Sequence, residues 1–360
     1  MSLTQTLSSV DASLGSEFEP SACRSATLDV RLRSQRQNGA ARGTTTAVLH
    51  LRHAGTHSVK IRWECQGPVD APVLIVQGGI SATRHVCAST QFIEPGWWQD
   101  QAGAGAALDT RRFRLLGIDW LGADGALDVC IDPADQADAI CALLDDLHID
   151  QVATFVGASY GAMVGLQFAA RHPTRLQRLI AISGAHRSHA QTTALRVIQR
   201  RIVKLGLRHE AAAEALALAR ALAVIGYRSG EEFEQRFAAE PQLRNGSPRF
   251  AVEDYFDAIG EKFVARFSTA AYLRLSESID LQRVVPESIR VPTDLVGVTQ
   301  DQIVPIADLR ALAAAISAPC RLHRIDSLYG HDAFLKEVGA VRDILAAALA
   351  PIRQENESAA

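Results

Sequence analysis

A run of mostly β-branched or aromatic residues leads directly into a glycine-flanked serine in VATFVGASYGAMVGLQFAARHP, residues 152–173. The first part is typical of a buried strand, and the residues that follow the second glycine are helix formers. Gly157 and Gly161 permit a turn too tight for larger side chains, with the hydroxyl of Ser159 at its apex. This strand, turn and helix predict a nucleophile elbow, to which an ordinary strand-to-helix turn is the alternative.

Short apolar runs without strict alternation recur along the chain and predict strands that are covered on both faces. They are VLIVQGG (73–79), FRLLGIDWLG (113–122), LQRLIAIS (176–183), VPTDLVGV (291–298) and CRLHRID (320–326). Helical patterns such as ADQADAICALLDDLHI (134–149) separate them. Strand and helix in alternation predict an α/β fold with a mostly parallel, doubly wound sheet.

The chain has 360 residues, enough for one large domain that carries an insertion. Residues 1–44 are polar and show no apolar period, so we expect a mobile N-terminal tail there. Residues 186–284 contain amphipathic helical patterns and no buried-strand run, which predicts a helical cap. Residues 45–185 and 285–360 then form the α/β core.

Composition excludes several classes of function. The net charge is -3, so the chain offers no basic field for nucleic acid. No apolar run approaches 18 residues, and the first twenty residues lack the basic and apolar regions of a signal peptide. The six cysteines include no CxxC pair. We therefore expect a cytoplasmic protein with reduced thiols, no bound metal and no membrane contact.

A serine hydroxyl needs a base to take its proton, and that base needs a carboxylate to orient it. With an elbow serine the chain order is Ser, Asp or Glu, then His, on loops that follow later strands. Asp301 follows the strand VPTDLVGV, and His331 follows the strand CRLHRID. Asp301 is preferred because ligand sites collect beyond the carboxyl ends of parallel strands. The alternatives are Asp294, Asp326, His172 and His323.

Acyl transfer also needs backbone N–H groups aimed at the oxygen of the tetrahedral intermediate. The residue after the nucleophile, Tyr160, is the first predicted donor. The second is Ile80, in the glycine-rich loop QGGISATRHV that follows the strand VLIVQ. A plain flexible loop is the alternative for this second segment.

Five segments are more specific than any of these motifs: PGWWQDQAGAGAALDTRRFRLLGIDWLG (95–122), GASYGAMVGLQFAARHP (157–173), IAISGAHRSHAQTTALRVIQRR (180–201), VTQDQIVP (298–305) and SLYGHDAFLKE (327–337). Together they resemble the homoserine O-acyltransferase family of α/β-hydrolase-fold enzymes. The resemblance implies Ser159 as the acylated nucleophile, His331 as base and Asp301 as its orienter. It also implies substrate contacts from Arg228 and Asp332, an acyl-coenzyme A co-substrate without any further cofactor, and a homodimer joined through the cap.

The elbow, the short connection ADGALDVCIDPADQ after IDWLG and a cap helix depart from the family pattern. The elbow reads Ser-Tyr-Gly-Ala where Ser-Met-Gly-Gly is common, and residues 195–200 read LRVIQR where Phe-Asn-x-x-Gln-Arg is usual. An additional cation at Arg196, if it faces the pocket, would neutralise the free carboxylate of a succinyl group, so the sequence favours succinyl-coenzyme A over acetyl-coenzyme A. A position of Arg196 on a solvated helix face is the alternative. Serine as acceptor, a carboxylic-ester hydrolase and a non-catalytic binding protein are the remaining alternatives.

Overall fold

The computed structural model describes residues 39–359, with side chains described up to residue 352. The predicted tail, residues 1–44, lies almost entirely outside the described residues. Its last four residues belong to a strand that begins at Ala41, so the predicted onset of order at Thr45 was four residues late. No apolar pattern marks residues 41–44, because this stretch is held by backbone pairing with a neighbouring strand and by an ion pair, Arg42 Nε to Glu64 Oε2 at 2.7 Å.

Ten strands occur within the described residues. In chain order they are β1 (Ala41–Leu51), β2 (Gly55–Gln66), β3 (Val73–Gln77), β4 (Arg114–Ile118), β5 (Thr154–Ala158), β6 (Leu179–Ile182), β7 (Gln242–Arg244), β8 (Ser247–Arg249), β9 (Thr293–Val298) and β10 (Cys320–Ile325). Eight of them form one sheet in the order β1-β2-β4-β3-β5-β6-β9-β10.

The sheet is mostly parallel, as predicted. Only β1 with β2 and β2 with β4 pair in antiparallel fashion. The pairs from β4 through β3, β5, β6 and β9 to β10 are parallel. All residues of β3, β5, β6 and β9 are buried, because helices cover both faces of the sheet.

The helices of the described chain fall into two groups. Those of the core are α1 (Pro133–Asp146), α2 (Tyr160–Arg171), α8 (Ile306–Ala315), α9 (Ala333–Lys336) and α10 (Val338–Ala359), while α3 (Ala190–Arg208), α4 (Ala212–Tyr227), α5 (Gly230–Phe237), α6 (Ala251–Val264) and α7 (Thr269–Leu281) lie between β6 and β9. The second group is the cap. It stands where the helical patterns predicted it.

The two ends of the cap are joined to each other. The N–H of Val284 donates to the carbonyl of His186 at 2.8 Å, and Arg187 pairs with Arg283 in an antiparallel bridge. This short ladder closes the insertion at its base. The cap therefore leaves the sheet and returns to it at a single place, next to the carboxyl end of β6.

One feature of the cap was missed. Strands β7 and β8 form a two-stranded hairpin joined by Asn245 and Gly246, both with positive φ angles. An Asn-Gly pair is the most favourable turn for such a hairpin, so the signal was present in the sequence. It was overlooked because the strands on either side are only three residues long and exposed.

A helix that crosses a lipid bilayer must be both long and apolar, and no helix of the described chain combines the two properties to the degree required.

Candidate active site

Ser159 lies on the turn between β5 and α2, at the carboxyl edge of the sheet. Its backbone has φ 56° and ψ -116°, a conformation that non-glycine residues rarely adopt. A Cβ atom on Gly157 would overlap the backbone of Gly161, and one on Gly161 would overlap the carbonyl of Gln77. The two glycines are thus required by close backbone approach, and the predicted elbow geometry is present.

A continuous chain of hydrogen bonds runs from this serine through an imidazole to a carboxylate. Ser159 Oγ lies 2.8 Å from His331 Nε2, and His331 Nδ1 lies 2.7 Å from Asp301 Oδ2. The histidine and the aspartate are both buried. Residues that are 142 and 172 positions apart from Ser159 are thus brought together in the predicted order.

The aspartate is itself fixed in place. Asp301 Oδ1 accepts hydrogen bonds from the backbone N–H groups of Ile303 at 2.8 Å and Val304 at 2.9 Å. The other oxygen is left for the imidazole. The two backbone hydrogen bonds to Oδ1 orient the carboxylate, and the bond to Oδ2 then orients the ring of His331.

The surroundings of His331 act on its pKa in opposite directions. Burial disfavours the imidazolium, but the charge and hydrogen bond of Asp301, with a smaller contribution from Asp332, outweigh burial and the opposing charge of Arg196. The pKa of His331 is therefore raised above its ordinary value. A raised pKa strengthens the ring as a proton acceptor.

The alternative acidic and basic residues are engaged elsewhere. His323 Nε2 lies 2.8 Å from Asp294 Oδ1, and Arg178 pairs with the same carboxylate at 2.7 Å. His172 lies 2.9 Å from Asp138 on α1. Neither imidazole has a hydrogen bond to Ser159 in the described chain.

Two backbone N–H groups of cavity-lining residues near Ser159 are free of hydrogen bonds in the described chain. The N–H of Gly161 donates to the carbonyl of Gly78 at 2.9 Å, which holds the elbow against the loop that follows β3. Ile80 and Tyr160 both line the cavity beside Ser159. No hydrogen bond within the described chain uses the N–H of either residue, so both are available to a ligand.

Trp120 connects the elbow helix to the loop that follows β3. The ring of Tyr160 meets Trp120 edge-on, with 4.8 Å between ring centroids. Trp120 Nε1 in turn donates to the carbonyl of Gly79 at 3.0 Å, immediately before Ile80. One tryptophan therefore positions both the elbow helix and the loop that carries the second donor.

A cavity of about 220 Å³ lies between Ser159 and the cap. Its floor is formed by the elbow, Ile80 and His331, and its walls by residues of α3, α4, α6 and α7. The GWW segment contributes Trp97 to the lining, while Trp98 Nε1 donates to the carbonyl of Phe334 at 3.0 Å. That bond joins two of the segments on which the family resemblance depended.

Arg196 of α3 lines the cavity, as predicted from its unusual place in the sequence. Its Nε donates to Asp280 Oδ1 at 2.8 Å, and Nη2 bonds to Ser188. Arg200 shares the same carboxylate through Nη1 at 2.7 Å. Two guanidinium groups thus share one carboxylate, which leaves one positive charge without a counter-ion in this cluster.

Asp332 also lines the cavity, next to His331, whereas Arg228 is absent from the lining. Arg228 forms a short ion pair with Glu232, and its Nε lies 3.5 Å from Asp332 Oδ2. That Nε atom is buried and has no hydrogen-bond partner in the described chain. The predicted pair is therefore adjacent, but only its acidic member faces the cavity directly.

Several residues of the site were not predicted. Trp120, Gln199, Arg220, Tyr272, Ser278 and Asp280 all contact or line the cavity or its supporting network. Those on the cap lay in patterns that indicated only amphipathic helices. The sequence contained no signal for them, because their importance depends on which helix faces the elbow.

Within the described residues, no cluster of three or more His, Cys, Asp or Glu side chains could hold a metal ion. Among the thiols, Cys65 and Cys87 are buried and form no disulfide. Burial, with the nearby charge of Glu64, raises the pKa of Cys87 to about 12. Such a thiol is a poor nucleophile.

Comparison with known proteins agrees with this geometry. The profile of the alpha/beta hydrolase fold family matches residues 71–338. A homoserine O-succinyltransferase of Xanthomonas campestris pv. campestris is 52% identical over 310 residues, which cover 86% of this chain and 84% of that relative. A serine O-succinyltransferase of Litchfieldella anticariensis is 30% identical over 326 residues, which cover 77% of this chain and 89% of that relative.

Among solved structures, a homoserine O-acetyltransferase from Bacillus anthracis superposes with a TM-score of 0.78. The superposition covers 87% of this chain and 98% of that one, at 15% sequence identity. At that level of identity the match shows a common fold.

Proposed function

Because this chain belongs to the homoserine O-acyltransferase family of α/β hydrolases, we propose that it transfers the succinyl group of succinyl-coenzyme A to the hydroxyl of L-homoserine. The observation that carries the proposal is the hydrogen-bonded series Ser159, His331 and Asp301 at the floor of a cavity beneath the cap. The three residues act as nucleophile, base and orienting carboxylate.

The first half-reaction acylates the enzyme. Ser159 Oγ attacks the thioester carbonyl while His331 Nε2 accepts its proton, and Asp301 stabilises the imidazolium that forms. The N–H groups of Ile80 and Tyr160 bind the oxyanion of the tetrahedral intermediate. The carbon–sulfur bond then breaks, His331 protonates the departing thiolate, and free coenzyme A leaves a succinyl ester on Ser159.

The second half-reaction reverses these roles with a different nucleophile. His331 takes the proton of the homoserine hydroxyl, which attacks the ester carbonyl. The bond between this carbon and Ser159 Oγ breaks, and the serine recovers a proton from His331. The kinetics are therefore ping-pong, and no cofactor beyond the acyl-coenzyme A co-substrate takes part.

Transfer must outrun hydrolysis, since water is also a nucleophile for the ester. The cap supplies the reason, because α3, α4, α6 and α7 cover the cavity above Ser159. A positioned hydroxyl reacts with an effective molarity of about 10⁵ M or more in favourable cases, which is enough to outcompete solvent. Water exclusion and acceptor positioning together favour a transferase over an ester hydrolase.

The choice of donor rests on Arg196. Its Nη1 takes part in no hydrogen bond of the described chain, while its other nitrogens are held by Asp280 and Ser188. An oriented guanidinium with a free nitrogen at the cavity wall suits the carboxylate of a succinyl group. An acetyl group offers no such partner, so acetyl-coenzyme A is the less favoured donor.

The acceptor is an amino acid with one ammonium and one carboxylate group. Asp332 stands beside His331 in the cavity lining and complements the ammonium group, and Arg228, whose Nε lies 3.5 Å from Asp332 Oδ2, stands behind it as the cation for the carboxylate. Serine carries the same two charges on a chain one methylene shorter. It is therefore the alternative acceptor, and its hydroxyl would have to reach the ester from a position that suits homoserine.

The test is mass spectrometry of the protein after brief exposure to succinyl-coenzyme A or acetyl-coenzyme A, with Ser159→Ala as control. The expected result is a succinyl adduct on the peptide that contains Ser159, with one thiol released for each adduct, no adduct on the control, and continued thiol release only when homoserine is added. Acylation by acetyl-coenzyme A alone would reassign the donor, and faster release with serine would reassign the acceptor. Equal release without any acceptor would indicate a hydrolase.

Three further expectations belong to this proposal. O-succinylhomoserine formation would place the enzyme in methionine biosynthesis, as the family resemblance implies, and its acyl-coenzyme A substrate suits a cytoplasmic protein.

We also propose a homodimer through the cap. Exposed apolar side chains on the cap support a dimer. Two of them, Ile198 and Leu205, lie seven residues apart on α3, and two more, Leu218 and Ile225, lie seven residues apart on α4. A spacing of seven residues places both members of a pair on the same helix face.

A further inference from the structure

Two arginines that line the cavity have no acidic partner. Arg220 of α4 is half-buried, and Arg266, just after α6, is exposed. Neither guanidinium takes part in an ion pair or hydrogen bond anywhere in residues 39–352. Arg196 differs from both, because Asp280 binds it directly.

Aromatic rings hold Arg220 in place. Its guanidinium lies 5.4 Å from the ring centroid of Tyr227 and 5.1 Å from that of Phe263. Such contacts orient an arginine without neutralising its charge. Arg220 is therefore a positioned cation that still lacks an anion, in the wall of a cavity built for a ligand.

The position of this cation follows from its contacts. The ring of Tyr227 is 5.8 Å from that of His331. The backbone of Arg220 lies two turns, about 10 Å, along α4 from that of Tyr227, and its side chain reaches back to place the guanidinium 5.4 Å from the Tyr227 ring. Arg266 follows Phe263 by three residues and is exposed. Arg266 thus lines the outer part of the cavity, and Arg220 lines the wall beside Tyr227 and Phe263.

The lengths of the substrates decide which anion reaches that far. At roughly 1.2 Å per bond, as in an extended chain, the carboxylate of a succinyl group is about 4 Å from the reacting carbonyl. The carboxylate of homoserine is about 5 Å from its hydroxyl. The first phosphorus of coenzyme A is 13 bonds from the sulfur, or about 16 Å. Arg196 and Arg228 already match the two carboxylates, so the phosphate groups, which extend farthest from the reacting carbonyl, are the anions left for Arg220 and Arg266.

Given the proposed transferase function, on which this step rests, we propose that Arg220 and Arg266 bind the phosphate groups of the acyl-coenzyme A donor. Guanidinium groups bind phosphate oxygens through two parallel hydrogen bonds, and an arginine already oriented by aromatic rings loses little freedom on binding. The two residues recognise the donor as a coenzyme A derivative, whereas Arg196 recognises the acyl group that it carries.

The test compares donors that differ only beyond the pantetheine arm. Acylation of Ser159 is measured with succinyl-coenzyme A, with its dephospho form that lacks the 3′-phosphate, and with succinyl-pantetheine, which lacks every phosphate group. Arg220→Gln and Arg266→Gln are compared with the wild type. Arg220→Lys tests rescue by charge, and Arg310→Gln is the control, an exposed arginine of α8 outside the cavity and without a described partner.

The expected result is a loss of about 10-fold or more in kcat/KM with succinyl-coenzyme A for each Gln variant, through KM and not through the acylation rate at saturation. With succinyl-pantetheine the Gln variants should match the wild type within about 2-fold, and Arg220→Lys should recover part of the loss. If the loss persists with the dephospho donor, the diphosphate is bound; if it disappears, the 3′-phosphate is bound.

Equal losses with succinyl-coenzyme A and succinyl-pantetheine would overturn the inference while leaving the proposed function intact. A change confined to the KM for homoserine, or a loss that separates succinyl from acetyl donors, would also overturn it, because Arg220 would then read a carboxylate. Failure of the wild-type protein to form an acyl adduct with any thioester would overturn the inference and the proposed function together.

Discussion

The hydroxyl of Tyr160 lies 2.6 Å from the hydroxyl of Ser278, and both side chains are buried. Tyr160 is the residue after the nucleophile, and Ser278 belongs to cap helix α7, 118 positions later. Burial raises the pKa of Tyr160 despite this hydrogen bond, so the phenol remains neutral and shares its proton with the serine. The elbow and the cap are thus joined by a side-chain hydrogen bond from the residue that follows Ser159.

Tyr160→Phe should destabilise the protein by about 1–3 kcal/mol, because the buried hydroxyl of Ser278 loses its partner. The acylation rate should change by less than about 10-fold, since the backbone N–H at position 160 remains. Thermal unfolding of the single variants and of Tyr160→Phe with Ser278→Ala is the measurement. The double variant should lose less than the sum of the two single losses, and strict additivity would contradict direct coupling.

The raised pKa of His331 predicts how acylation depends on pH. The imidazole must be neutral to accept the proton of Ser159, so the rate should fall as the pH drops through the pKa of the ring. Because Asp301 stabilises the imidazolium, the midpoint of this acidic limb should lie above 6.5, the ordinary value for histidine. Stopped-flow acylation from pH 5 to 9 measures it. A midpoint below 6.5 would show that burial outweighs Asp301.

Asp301→Asn should lower the acylation rate by about 10⁴-fold with little change in stability. An asparagine keeps an oxygen to accept the N–H groups of Ile303 and Val304, but its NH₂ group then faces His331 Nδ1 and favours the wrong tautomer. Rates with a saturating donor and unfolding curves check both parts. Loss of folded protein in this variant would show that Asp301 acts chiefly on the structure.

Arg196→Ala should reduce kcat/KM for succinyl-coenzyme A by about 10-fold more than for acetyl-coenzyme A, because only the former has a carboxylate to bind. Arg200→Ala is the matched control, since Arg200 shares Asp280 but does not line the cavity. Steady-state rates with both donors provide the comparison. Equal losses with the two donors would refute a role for Arg196 in donor choice.

Leu205→Asp and Leu218→Asp should convert the proposed dimer into monomers, because each places a charge on the exposed apolar faces of α3 and α4. Light scattering coupled to gel filtration measures the mass. Ile93→Asp alters an exposed apolar residue outside the cap and should leave the mass unchanged. A wild-type protein that is monomeric at all concentrations would contradict the proposed interface.

Much of the core could be predicted from local patterns. The apolar runs of β3, β5, β6 and β9 are strands because their residues are buried on both faces, and burial leaves a mark on composition that does not depend on distant contacts. The elbow could also be predicted from a local pattern. Its two glycines meet backbone atoms of neighbouring segments and cannot be replaced.

The partners Asp301 and His331 were found from chain order, since the fold fixes which loops meet at the carboxyl edge of the sheet. The ion pair of Arg228 with Glu232 had a weaker signal, a spacing of four residues across the junction of α4 and α5. The start of β1 and the β7–β8 hairpin show the limit of pattern reading. Edge and surface strands carry little burial, so their side chains say little about them.

The amino-acid order alone was sufficient to predict the turn at Ser159, its hydrogen-bonded neighbours His331 and Asp301, and the sheet that carries them, because each of these depends on local backbone geometry or on a fixed topology. Packing decided the rest. The bond from Tyr160 to Ser278, the sharing of Asp280 by Arg196 and Arg200, and the unpaired charge of Arg220 arise only when separate cap helices meet above the elbow. Helical periodicity predicts that one face of a helix is buried, but only the tertiary structure shows which residues pack against that face.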